Sequence, residues 1–178
     1  EKIIARIKMV HTRVTGFASD GRPYSANDPH LLRWVHVAEV DSFLAAHQRY
    51  GAYPLDQQGR DGYVQDVAVI ARLLGVPNPP ESEKELKQQL HDYRPELAST
   101  DESRDAAKYL IFEPPLPATA RVAYSALVAA TIATLPSWTR KPLRLPLLPI
   151  TEKFALRPLG DAVTRAIRWA TVPTSPYK

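Results

Sequence analysis

The chain has 178 residues, a length that fits one domain with a single sizeable core. The absence of cysteine excludes disulfides, thiolate catalysis, Cys–zinc sites and iron–sulfur clusters. Its 23 basic and 19 acidic residues leave a net charge of +4. That excess is mild and interleaved, with Arg140, Lys141 and Arg144 the nearest thing to a basic cluster, so no nucleic-acid partner is expected.

The first residue is Glu1 and no signal-like apolar segment follows it, so a cytoplasmic location is expected and residues upstream remain an open question. Residues 1–14 read as a helix, with Ile3, Ile4, Ile7 and Val10 or His11 at helical spacing and Gly16 as its stop. Residues 17–28 are turn-rich, broken by Asp20-Gly21 and Pro23. The next start signal is strong. Asn27 or Asp28 can cap, and Pro29 suits the first helical position, where its missing N–H is no loss. This helix should run to about Tyr50 and stop at Gly51, with Leu32, His36, Val40, Phe43, Leu44 and His47 on one stripe. Arg33, Glu39 and Asp41 fall at its edges or off it.

A helix over 60–74 turns Val64, Val67, Ala68, Ala71 and Leu74 inward and stops at Gly75 and Pro77. Ser82 with Glu85 three residues on is a capping box opening a short charged helix to about Tyr93. Helices over roughly 100–112, 118–135 and 158–171 follow, the last with Leu159, Ala162, Val163, Ala166 and Ile167 as core face. The apolar stretch from about Ala123 to Leu135 carries Ser125 and Thr131 and is too short to span a bilayer. It reads as a buried core helix, and no transmembrane segment is expected. Between Pro136 and Arg157 the prolines predict short helical turns in an extended path. No window alternates long enough for a strand. The fold class is therefore all-α: one orthogonal bundle over 1–178, of which a globin-like arrangement is one example, with about six to seven helices.

No phosphate loop, nucleophile elbow, zinc helix or Glu-x-x-His pair is present. The five histidines are the remaining neutral nitrogen ligands. His36 stands out, in mid-helix on the apolar stripe. A ring nitrogen buried there without a partner costs about 1–3 kcal/mol, so it needs either a hydrogen bond or a metal. A single helical histidine is how globins and peroxidases hold haem iron. His47 lies about 16 Å further along the axis and cannot share a metal with His36. Arg33 can reach a carboxylate, such as a haem propionate, or it is an ordinary surface arginine or a partner of Asp41 or Glu39. His11 is either a helix-end histidine or, if the first helix packs across the second, a distal catalytic group in the same pocket. His30 and His91 read as exposed. Asp61, Tyr63 and Asp66 are explained by a helix start, and Trp138 and Trp169 as core or interface anchors.

Three stretches carry a family resemblance: His11-Thr12-Arg13-Val14-Thr15-Gly16, then Asp20-Gly21-Arg22-Pro23-Tyr24-Ser25-Ala26-Asn27-Asp28-Pro29, then Leu32-Arg33-Trp34-Val35-His36. Together they resemble the central block of the rubber-oxygenase family, which contains the latex-clearing proteins and the oxygenase that cleaves the prenyl chain in mycophenolic acid biosynthesis. Tyr63, Gly75-Val76-Pro77, Pro114-Pro115-Leu116-Pro117, Leu135-Pro136, Arg157-Pro158 and Arg168-Trp169 match weaker landmarks. The resemblance implies a helical, globin-like fold binding haem b. The axial ligand of an Arg-x-x-His element would be His36, and Arg33 would support the cofactor. It also implies dioxygen and an apolar, isoprenoid-type substrate. The family's distal lysine, threonine and catalytic glutamate lie upstream of that element and are not assigned to positions of this sequence, and the N-terminal family helices are expected to be missing. Two other readings stay open. One is a non-catalytic helical module binding an apolar ligand. The other is an oligomerising fragment, a homo-oligomer with an exposed apolar face left by absent helices.

Overall fold

A computed structural model describes residues 2–146, 154 and 156–171. The all-α class is what the chain adopts, with eight α-helices and one two-stranded hairpin among the described residues. The chain falls into two compact units, residues 1–97 and 98–178.

The first unit opens with α1 (Lys2–His11), which buries none of its residues. It ends at His11, with the Thr12 hydroxyl donating to the Met9 carbonyl at 2.7 Å. Gly16, expected as the helix stop, instead lies in β1 (Thr15–Phe17), which pairs antiparallel with β2 (Pro23–Ser25) and sets Gly16 opposite Tyr24. Here the expectation of no strands is corrected. Three residues per strand are too few to show an alternating pattern, and the turn chemistry at Asp20-Gly21 was the stronger signal. Gly21 adopts φ 83°, and a Cβ on Gly16 would meet the Tyr24 hydroxyl at 2.7 Å. The glycine is there because the Tyr24 ring crosses the paired strand at that point.

α2 (Pro29–Tyr50) starts and stops where its caps dictate. The Asp28 carboxylate accepts from the amides of His30 at 2.8 Å and Leu31 at 3.3 Å. Such a cap contributes about 1 kcal/mol. α3 (Gln57–Leu74) begins three residues before the expected start, capped by Asp56, and Gly75 ends it in a left-handed conformation with φ 99°. α4 (Glu83–Tyr93) takes its Ser82 cap as expected, while the Glu85 carboxylate accepts from the Glu81 amide rather than closing the box on Ser82. A 3-10 turn, Arg94–Glu96, follows. Val37, Val40 and Leu44 of α2, Val64, Ala68 and Ala71 of α3, and Leu86, Leu90 and Tyr93 of α4 make the core of this unit. α4 is fastened to α3 by polar groups as well. Arg60 pairs with Glu83 at 2.7 Å, and the Asp61 carboxylate accepts from the Glu83 amide at 2.8 Å. That bond is the chief reason the Asp61 carboxyl sits below its usual range, and it confirms a structural role for Asp61.

The second unit holds α5 (Asp101–Phe112), α6 (Ala118–Thr134), the single turn α7 (Ser137–Arg140) and α8 (Arg157–Thr171). α6 packs against α8, and among its described side chains Ala130 and Ala133 are buried. Arg140 is buried and its Nε donates to the Leu135 carbonyl at 2.7 Å, so it closes a helix end rather than forming a basic patch. Trp169 is 85% exposed, so it is not a core residue, and Leu159 and Ile167 are exposed where a core face was expected. The expected turns between Pro146 and Arg157 fall mostly outside the described residues.

Candidate functional site

α2 is a helix with two apolar jobs. Val37, Val40 and Leu44 face the core, while the adjacent strip carrying Leu32, Val35, His36, Glu39 and Phe43 lines a cavity of about 570 Å³. Across the cavity α3 supplies Tyr63, Val67, Ile70, Ala71 and Leu74, and α1 supplies Ile7 and His11. The volume lies in the range of small-molecule and cofactor pockets, which are mostly apolar with a few placed polar groups. Val35, Phe43 and Ile70 are each about half exposed, so the cavity is open along one side.

His36 is 8% exposed, and its Nε2 is buried with no hydrogen-bond partner among the described residues. Burial disfavours the charged imidazolium, which holds the His36 pKa below the ordinary histidine value. The ring is thus neutral at physiological pH. A neutral imidazole with an unbonded nitrogen is the form in which histidine ligates a metal. Sequence spacing placed His36 on the apolar stripe, and the geometry leaves its nitrogen without the protein bond that would make it an ordinary core histidine.

His11 is half-buried and lines the same cavity from α1, so the two histidines expected at the site are brought together. Arg33 is not among the cavity-lining residues. Its Nε donates to the Tyr93 hydroxyl at 3.0 Å, and that hydroxyl donates to the His30 carbonyl at 2.9 Å. The Trp34 and His30 rings pack against the Tyr93 ring at 5.4 and 4.8 Å. Arg33 therefore binds neither Asp41 nor Glu39, and Asp41 pairs with Lys87 instead. His30 is exposed as expected, and it pairs with Glu96 at 2.6 Å. His91 is exposed as expected, and His47 is exposed as well.

Two cavity residues had been given other roles. Tyr63 was read as part of a helix start, yet it lies four and eight residues before Val67 and Ala71, on the face α3 turns to the cavity. Burial, and then the charge of Glu39, raise its phenol above the ordinary tyrosine value, so its Oη keeps its proton. Glu39, one turn beyond His36, brings a carboxylate to a mostly apolar cavity. No group of three or more His, Cys, Asp or Glu side chains among the described residues is arranged to hold a bare metal ion.

Fold and site together define a helical protein with one buried, neutral histidine facing an apolar cavity. The chain belongs to the family described as ER-bound oxygenase mpaB/B'/rubber oxygenase, catalytic domain, which matches residues 1–169. No curated protein and no solved structure matches it. It is accordingly an oxygenase-family catalytic domain. No helix among the described residues is long and apolar enough to cross a membrane.

Proposed function

We propose that the chain is a haem-dependent oxygenase domain acting on an apolar substrate with a carbon–carbon double bond, of isoprenoid type. The orphaned Nε2 of His36 carries this reading. A buried nitrogen without a partner costs stability, about 1–3 kcal/mol, and a metal bond removes that cost. A bare ion would need further protein ligands, whereas iron held in a porphyrin needs one imidazole from the protein. The residues present therefore fit haem b with His36 as proximal ligand.

Haem b, when bound, supplies the redox-active iron that dioxygen chemistry on a double bond requires. The chain's own residues supply the rest. Leu32, Val67 and Leu74 line the cavity with hydrocarbon, for the porphyrin beside His36 and for an apolar substrate beyond it. His11, across the cavity on α1, is the candidate catalytic group that meets the reacting end. The Tyr63 Oη holds a proton it can donate in a hydrogen bond. Arg33 supports the cofactor at one remove, because its bond to Tyr93 fixes the start of α2 and with it the setting of His36.

A non-catalytic module for an apolar ligand would use the same walls, but it leaves the His36 nitrogen unsatisfied. Oxygen uptake by the haem-reconstituted chain, measured with and without a long-chain isoprenoid alcohol, separates the two. Uptake that depends on both haem and alkene and disappears in His36→Ala is expected. Haem binding with no alkene-dependent uptake from any apolar alkene would favour the binding module.

A further inference from the structure

A second cavity of about 300 Å³ adjoins the first and is lined by Phe43, Leu44, His47, Leu55 and Tyr63. Phe43 and Tyr63 line both spaces, so their side chains form a shared wall between the His36 cavity and this annex. Phe43, Leu44 and Leu55 present only hydrocarbon, and Leu44 is 3% exposed. The annex runs along the same helix. Phe43 lies two turns beyond His36, and exposed His47 lies about 16 Å from His36 along the axis. The far end of the annex therefore meets water beside His47. Leu55 is held there by its backbone, since its amide and carbonyl are both bonded to the Gln48 side chain, at 2.8 and 2.9 Å.

We infer that the annex is a specificity subsite that takes the far end of a slender hydrocarbon chain whose near end lies in the main cavity, with Phe43 and Tyr63 as the constriction between the two. The inference rests on the proposed apolar substrate and adds how its length and width are selected. A chain threading the wall buries hydrocarbon at every added carbon until it reaches His47, and beyond that point further carbons go into water. The constriction passes the single methyl branches of an isoprenoid chain and rejects a bulkier, tert-butyl-type branch that the main cavity alone would accept.

The test is calorimetric titration of the full chain with linear primary alcohols of increasing length, and with isomers of equal carbon number that carry a tert-butyl branch. Wild-type affinity should improve by about fourfold per added methylene and then level off at a cutoff length. Leu55→Trp fills the annex, so its cutoff should move to shorter chains while the affinity of the shortest alcohols stays unchanged. Should that variant lose its helical circular dichroism, Phe43→Ala decides instead. That side chain is more than half exposed, and its removal should bring the branched-to-linear affinity ratio close to one. A folded Leu55→Trp with an unmoved cutoff overturns the inference, as does an unchanged ratio in Phe43→Ala. Haem titration of the same proteins keeps the failures apart. A cutoff that moves in a chain unable to bind haem supports the subsite and refutes the haem reading. Haem binding with an unmoved cutoff refutes the subsite alone.

Discussion

Replacing His36 by leucine should stabilise the haem-free chain while removing its capacity to hold the cofactor. The imidazole is 8% exposed and its Nε2 is buried without a partner. An unsatisfied buried nitrogen costs about 1–3 kcal/mol, and leucine of similar size removes that cost and adds hydrocarbon beside Leu32 and Val40. The haem-free variant should therefore gain about 1–3 kcal/mol, which for a unit of this size raises the midpoint by about 4–8 °C per kcal/mol. Urea denaturation of both proteins followed by circular dichroism reads this directly, as a higher midpoint at unchanged slope. A site kept at a cost to stability is what a ligand position looks like. If His36→Leu is instead destabilised by 1 kcal/mol or more, the histidine has a bonded structural role and the reasoning fails.

Two other outcomes follow. Because burial depresses the folded-state pKa of His36, the unfolded chain takes up its proton first as pH falls. The haem-free wild type should lose stability below the ordinary value of 6.5, and His36→Leu should lose less over the same window, as thermal melts at stepped pH will reveal. Gly75→Ala should cost about 1–2 kcal/mol in urea denaturation, since φ of 99° at the end of α3 suits glycine alone, and a neutral result would mean the cap relaxes.

Much of the helical plan was legible because its punctuation is local. Asp28-Pro29, Gly75, Ser82 and Pro136 mark ends through backbone chemistry that acts over one or two residues. The hairpin was not legible, since its strands are shorter than any periodic signal and the Gly16–Tyr24 approach is a cross-strand fact. In the site, His36 was visible as a polar residue in an apolar stripe. The role of Arg33 was not, because its partner Tyr93 lies sixty positions away on α4. Tyr63 could have been found, as it shares the helical face of Val67 and Ala71, but a tyrosine near a helix start is ordinary enough to hide it. The annex behind Phe43 depends on how α2, α3 and the segment around Leu55 meet, which no spacing rule encodes.

Haem titration of the purified chain, read by absorption and repeated for His36→Ala with and without added imidazole, bears most directly on the central claim. The wild type should develop a saturable Soret band at one equivalent, the variant should lack it, and imidazole filling the vacated space should restore it. A band of equal intensity and position in wild type and His36→Ala would contradict the assignment of His36 as the iron ligand.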